Sequence, residues 1–486
     1  MSLGKKIVIF LMLVVAIWVG ATAYIGSHTK SELESYLEKR ASLYANNGMN
    51  IRLLSFKKGF ISSSVELEVD FTDPKMHKNI SEFITLPIVT KYEIENGPLL
   101  FKNGFSVGAS CMHNDTNISE LFKDKKNLHK FVKDSIILNS SMKIGFDKKA
   151  VYHGEVNGNE VMNIEGDKFE LSPILIDSEI DIESLAGTFK LFLKEMVGIL
   201  KDNAGGSTLE NITFEGELTK FFENGFYLGN FDFSIEKLSL KNKKFPFELK
   251  DAQANIAIDI AENCDNYIDF QVDFHLDKGN STLPKEINST QQLLFSYGIR
   301  GATLEGMMAF QDGVRELQKR QSKVMAQLSA SSTVEEQMRA IEKLQRIQLN
   351  MEKDMSLNLV KLIDKNTTLF IQSEILDSNN KRTFFDVKVT YVGDTPLPSS
   401  MEAINKKFKK ELLDLIKLDV DATLQQSFVL QLPSNFQSQL QMAIATGILK
   451  KENSNYLFNL LYIPRKLTIN GTDKSGMLPL FEMSLQ

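Results

Sequence analysis

Residues 266–276 read NYIDFQVDFHL, in which Ile268, Phe270, Val272, Phe274 and Leu276 alternate with Asp269, Gln271, Asp273 and His275. Successive side chains of a strand point to opposite faces, so this stretch has one dry face and one wet face. A strand of a parallel sheet, covered by helices on both sides, would be apolar throughout. The same period returns in SSSVELEVDF (62–71), with Val65, Leu67, Val69 and Phe71 on one side, and in RTFFDVKVTYV (382–392), with Phe385, Val387, Val389 and Tyr391. Shorter cases are Ile212-Phe214, Phe231-Phe233-Ile235, Ile256-Ile258-Ile260, Leu369-Ile371 and Leu467-Ile469. Asn157-Gly158, Asn224-Gly225 and Asn470-Gly471 supply hairpin turns. The expectation is an α+β protein whose body is a large, mostly antiparallel, curved β-sheet.

The period becomes helical between residues 301 and 365. Met307, Phe310, Val314, Leu317, Gln321, Val324 and Leu328 keep a three-four spacing, and Ile341, Leu344, Met351, Met355, Leu359 and Leu362 form a second stripe. SASSTVEEQ (329–337) separates them, and Ser332 with Glu335, or Thr333 with Glu336, can cap the second helix. This reads as an inserted helical hairpin whose stripes meet in a seam. Further helical stretches are MEAINKKFKKELLDLIK (401–417) and, more weakly, SLAGTFKLFLKEMVGILKDN (184–203). The lysine run 406–410 is a solvated face or a contact for anionic headgroups.

The N-terminus carries the clearest location signal. Ile7 to Ile25 holds no charge, Lys5 and Lys6 precede it, and no Lys or Arg follows until Lys30. As a helix this run is roughly 28 Å long, one bilayer core. The lysine bias places residues 1–6 in the cytoplasm and the bulk outside, and Trp18 and Tyr24 suit the outer interface. The competing reading is a leader cleaved after Ala21-Thr22-Ala23. The expected organisation is a cytoplasmic tail (1–6), a transmembrane anchor (7–25) and a juxtamembrane helix (26–47), which Thr29 and Glu32 could cap. There follow a β-rich part (48–300), the hairpin (301–365) and a C-terminal α+β part (366–486). If anchor and juxtamembrane helix are continuous, the folded body stands away from the lipid.

Net charge is −6 over 486 residues, so nothing suggests nucleic acid. Cys111 and Cys264 are the only cysteines; a periplasmic setting permits a disulfide between them, with two free thiols as the alternative. No phosphate loop, dinucleotide fingerprint, nucleophile elbow or zinc-protease motif occurs. His28, His77, His113, His129, His153 and His275 lack metal-ligand spacing, and His275 on a wet strand face is expected to be solvated. No catalytic, cofactor or metal residue is assigned, and a non-enzymatic role is expected.

Several stretches resemble the YdgA-like family of bacterial proteins, which is defined by a domain of unknown function. That family carries a Tyr/Phe-x-Arg/Lys-Gly-hydrophobic-x-Ser-Ser stretch after its N-terminal helix. Here it stands as SFKKGFISSSVELEV (55–69), with Phe56, Lys58, Gly59, Phe60, Ser62 and Ser63. A later His-Gly-Pro element is present as Asn96-Gly97-Pro98, with asparagine replacing histidine. The resemblance implies a single-pass bacterial inner-membrane protein facing the periplasm, with no established enzyme activity; it supplies no mechanism. Gly59 and Gly97-Pro98 read as turns that could also shape a rim.

Two functions fit. In the first, the apolar sheet face, with Ile268, Phe270, Val272, Phe274 and Leu276 as candidate lining, handles lipid or another envelope component, in the manner of grooved periplasmic bridge proteins of the AsmA type. In the second, the hairpin or the sheet edges bind envelope proteins or a second copy. A continuous apolar trough open to solvent favours the first; a closed core favours the second.

Overall fold

The two-residue period is realised as antiparallel pairing throughout the long strands. The computed structural model of the chain describes residues 3–479 except 47, 103, 126–127, 129–130, 164–165, 202–204, 223, 243–247, 283–288, 331–332, 395–396, 398–413 and 431–433. Side chains are described from residue 15 onward, apart from those of 74–75, 242, 322, 326, 329–330, 334, 348–357 and 434–435. The helix expected at 401–417 and the lysine run 406–410 fall almost wholly outside the described residues. The chain divides into two units, one comprising 1–194, 215–227 and 321–340, the other 195–214, 228–320 and 341–486.

The first unit begins with helix α1 (Leu3–Asn46), unbroken through both the apolar run and the stretch read as a separate juxtamembrane helix. Thr29 is therefore no cap; its hydroxyl donates to the carbonyl of Ile25 inside the helix, at 2.9 Å. Gly48, in the left-handed region at φ 72°, then turns the chain into the sheet. The strands are β1 (Met49–Lys57), β2 (Ser62–Phe71), β3 (Ile88–Asn96), β4 (Leu99–Leu100), β5 (Ser106–Val107), β6 (Ser110–Asn117), β7 (Ile137–Ile144), β8 (Lys149–Val156), β9 (Asn159–Met162), β10 (Lys168–Leu171), β11 (Ile174–Asp181) and β12 (Gly187–Ile199). Helix α2 (Pro74–Phe83) joins β2 to β3. Pairing runs β1–β2–β3–β6–β7–β8–β11–β12, every contact antiparallel. The core lies between α1 and this sheet: Val65, Ile94 and Met112 are buried, with Leu33 of α1, Leu53, Phe56, Leu67, Tyr92 and Met142 packed around them.

β12 corrects the weak helical expectation at 184–203. Its residues Phe189, Leu191 and Leu193 alternate with lysines at 190 and 194, and they pair in register with Ser178, Ile176 and Ile174 of β11. The period-two signal was there, and sheet partnership overrides the helix propensity of the Leu- and Lys-rich segment.

The second unit is a meander of longer strands: β13 (Gly205–Phe221) in part, then β14 (Tyr227–Asn242), β15 (Glu248–Cys264), β16 (Tyr267–Asp277), β17 (Thr290–Thr303), β18 (Thr368–Asp377), β19 (Arg382–Tyr391), β20 (Ile416–Gln425), β21 (Lys450–Glu452), β22 (Asn455–Ile463), β23 (Lys466–Ile469) and β24 (Thr472–Asp473). From β14 to β20 each strand pairs antiparallel with the next, and β22, β23 and β24 continue the sheet. Asn470 and Gly471, both at positive φ, form the two-residue turn between β23 and β24. A compact cluster of Leu460, Tyr462, Leu467 and Ile469 closes one end of this sheet, with Met477 and Leu478 packed on it.

Helices α3 (Leu304–Ala330) and α4 (Val334–Leu362) stand between β17 and β18. Thr333 and Glu336 form a reciprocal capping box at the start of α4: the Glu336 amide donates to Thr333 Oγ1 at 3.2 Å, and the Thr333 amide to Glu336 Oε2 at 3.3 Å. The hydroxyl of Thr303, just before α3, donates to the carbonyl of Lys361 at 2.6 Å, so the start of α3 meets the end of α4. Val324 and Leu362 are buried as their stripes require, whereas Ile341 and Leu359 are half exposed. The two stripes are thus only partly covered; Met351 and Met355 lie outside the described side chains.

Candidate functional site

The family-like motif folds into a clasp. Phe56 drops into the core beneath α1. Gly59 makes the turn after β1; a Cβ there would lie 1.9 Å from the carbonyl oxygen of Ser62, so only glycine fits. Ser63 is buried, and its Oγ accepts from the Gly59 amide at 3.4 Å. The second element arrives from β3: Asn96, also buried, donates through Nδ2 to the carbonyls of Phe60 (3.2 Å) and Gly59 (3.5 Å) and to Ser63 Oγ (3.4 Å). Its own amide donates to Ile61 at 2.7 Å. The two motif segments, separated by thirty-odd residues of sequence, thus form one hydrogen-bonded unit. Helix α1 is part of it, because a Cβ on Gly26 would sit 2.9 Å from Asn96 Nδ2.

Beside the clasp is an open polar cleft of about 470 Å³, lined by Lys57, Lys58, Gly59, Ser62, Ser63, Lys91, Lys102, Glu93 and His113 among others. Lys102 pairs with Glu93 at 2.6 Å. Buried Glu95 accepts from the amides of Phe101 and Lys102, at 2.6 and 3.2 Å, and holds the β4–β5 hairpin in place. Burial pushes His113 below its ordinary pKa, the Lys102 charge adds to this, and Glu95, Glu93 and Asp115 oppose it. Burial raises the Cys111 thiol, helped by Glu95. Among the described residues no group of His, Cys, Asp and Glu is placed to hold a metal ion.

The face predicted from NYIDFQVDFHL is the broader feature. Cross-strand partners share a face, and the registers string one row from Phe231 through Ile258, Val272, Tyr297, Ile371, Val387 and Val420 to Leu460. A second row runs Ile260, Phe270, Ile299, Leu369, Val389, Leu418, Tyr462. A third includes Phe233, Ile256, Phe274, Phe295 and, beyond Ser373, Phe385. Phe214 stacks on Phe231 with ring centroids 6.5 Å apart, extending the face by one strand. Of the predicted lining, Ile268 is fully buried, while Phe270, Val272, Phe274 and Leu276 are half-buried. Tyr297 and Phe385 are 43% exposed, and Leu369 and Ile371 48%. The face is neither a closed core nor bare surface.

The opposite face is largely polar, with buried Phe370 as an apolar member, and many of its polar groups pair with one another while Asp386 Oδ1 is buried without a partner among the described residues. Asp232, Ala257, Asp273, Ser296, Gln372, Asp386, Asp421 and Asn459 follow one another across the strands. Asn255 Nδ2 donates to Asp232 at 2.7 and 2.8 Å, Gln271 Nε2 to Asp273 at 2.8 and 2.9 Å, and Lys388 Nζ to Asp386 at 2.6 Å. His275 departs from the expected solvated histidine: flanked by Asn255 and Leu294 in register, its Nε2 is buried, with no hydrogen-bond partner among the described residues.

The cysteines do not pair. Cys111 is a buried thiol in mid-strand β6 and Cys264 an exposed one at the end of β15. The disulfide left open by the sequence is absent, since no sequence spacing fixes where two strands place their side chains.

A family model described as a bacterial protein of unknown function (DUF945) matches residues 5–475. The chain belongs to that family. No curated protein matches it, and no solved structure does. Both the clasp and the apolar face fall within the matched span.

Sequence reasoning missed β17, although Leu293, Phe295, Tyr297 and Ile299 alternate as clearly as their neighbours. It also missed buried Glu95 and His113, whose burial depends on the β4–β5 hairpin and has no local signal.

Proposed function

We propose that this protein is a non-enzymatic, membrane-anchored periplasmic protein that binds acyl chains of envelope lipids along the apolar face of its second unit. One observation carries the reading. Rows of large apolar side chains cross the sheet from β14 to β20; Ile260 and Ile299 in them are buried, but Phe295, Tyr297, Leu369, Ile371 and Phe385 stay 36–48% exposed, while the other face carries mostly polar side chains. Monomers rarely leave a contiguous apolar surface of this breadth without use, and a row of aliphatic and aromatic side chains matches a flexible hydrocarbon chain better than a hydrogen-bonding ligand. The anchor rests on the uncharged run Ile7–Ile25 behind Lys5 and Lys6. Among the described residues no helix is long and apolar enough to cross a membrane; the side chains of residues 7–14 lie outside them.

The test is photocrosslinking in cells, with a benzophenone amino acid replacing Tyr297 and, as control, Gln372 on the polar face. Lipid-mass adducts at 297 and none at 372 are expected. Protein adducts at 297 would move the reading to an envelope scaffold, and absence of both kinds would remove it.

A further inference from the structure

We infer that the clasp end of the first sheet is itself a membrane-contacting surface, with the turn Phe60-Ile61 and the β4–β5 hairpin seated in the headgroup layer beside α1. The inference rests on the anchor reading of Ile7–Ile25 and adds a second contact to it. A continuous helix was expected to hold the folded body away from the lipid, yet the body reaches up along it. Gly26, one residue past the apolar run, packs on Asn96 and Gly59, and Thr22, inside the run, is fully buried. The end of the sheet therefore sits at the level where the apolar run stops.

That end carries apolar side chains turned outward. Phe60 and Ile61 are half exposed in the turn that Asn96 clasps; Phe101, Phe105 and Val107 are exposed on the hairpin, Phe105 at 70%, and the rings of Phe101 and Phe105 lie 5.8 Å apart. Glu95 fixes the hairpin next to the clasp through the Phe101 and Lys102 amides. Lys57 and Lys58, both exposed, flank the turn. The headgroup layer on each side of a bilayer is roughly 5–8 Å deep, about one turn of helix. Aromatic rings favour that layer, and lysines beside it attract anionic lipid. The opposite end of the sheet, where exposed Phe83 closes α2, is a strand length away.

The test uses the full chain in vesicles of phosphatidylcholine and phosphatidylglycerol carrying brominated acyl chains, with tryptophan fluorescence as readout. Trp18, the only native tryptophan, reports the anchor. In a Trp18→Phe background, Phe105→Trp and, separately, Phe60→Trp report the surface, and Phe83→Trp the far end. Quenching of the tryptophans at 105 and 60 several-fold above that at 83 is expected. Quenching at Trp18 with positions 105 and 60 no higher than 83 would overturn the inference and leave the anchor standing; no quenching at Trp18 would remove both.

Discussion

Leu369 and Ile371 stand two residues apart on β18, on the apolar face, and each is 48% exposed. Full burial of such a side chain is worth ~1.5–3 kcal/mol, so folding has realised about half of that and a bound chain can realise the rest, roughly 1 kcal/mol per residue. Leu369→Ser combined with Ile371→Ser should therefore weaken acyl binding by about 2 kcal/mol, on the order of 30-fold in Kd. The same change should lower folding stability by a similar amount, which a domain with ~5–15 kcal/mol in hand survives. The assay is titration of a fluorescent fatty acid into the full chain in nanodiscs, with Gln372→Ala as the opposite-face control and a denaturant melt of each variant. Ile268→Ser marks the contrast: that side chain is fully buried, and the resulting cavity and buried hydroxyl should cost ~3–5 kcal/mol, a larger fall in the denaturant midpoint than the double variant shows. A folded double variant that binds the probe as tightly as the parent would refute the assignment of this face.

Further outcomes follow from the first unit. Asn96→Asp should destabilise more than Asn96→Ala, itself expected to cost about 1–3 kcal/mol, because a carboxylate would face the carbonyls of Gly59 and Phe60; urea melts of the two variants check the order. Gly26→Val should lower the melting temperature comparably, since its side chain would enter the space of Asn96, and a neutral result would mean that α1 is not held at the clasp. Titration with a maleimide should label one thiol, Cys264, in the folded chain and both only after unfolding. His113 has its pKa lowered by burial, so its stability contribution is full above the ordinary histidine value and is lost as pH falls below it; His113→Gln should flatten the drop in melting temperature between about pH 7 and pH 5.

Much of the fold was legible because a two-residue period names a strand and its dry side without help from any other part of the chain. That held for 62–71, 266–276 and 382–392. It failed at 184–203, where leucines and lysines satisfy helix propensity and strand alternation together and only pairing with β11 decides. It left Cys111 and Cys264 open between a bridge and two free thiols, because their fate depends on distances between strands. The clasp was half legible: both motif segments stood out, and Gly59 as a turn, but the hydrogen bonds that join Asn96 to Phe60 and Ser63 exist only once β3 lies beside β2.

Whether a dry face is covered is a different kind of question from whether it exists. Alternation reports on which side a side chain points, and says nothing about what stands opposite. In the first unit the partner is α1, and Val65 and Ile94 are buried beneath it. In the second, the rows through Tyr297 and Ile371 carry the same chemistry and the same period, yet remain half exposed. At one end Leu460 and Tyr462 are buried, with Met477 and Leu478 packed on their cluster. Equal patterns thus produce a core in one place and an accessible surface in the other. Among the described residues the difference lies in the neighbour: α1 lies on the first face, whereas the rows through Tyr297 and Ile371 keep part of their surface exposed. An apolar face left partly exposed has surface to offer another partner, and on the reading proposed above a hydrocarbon chain lying along the rows is that partner.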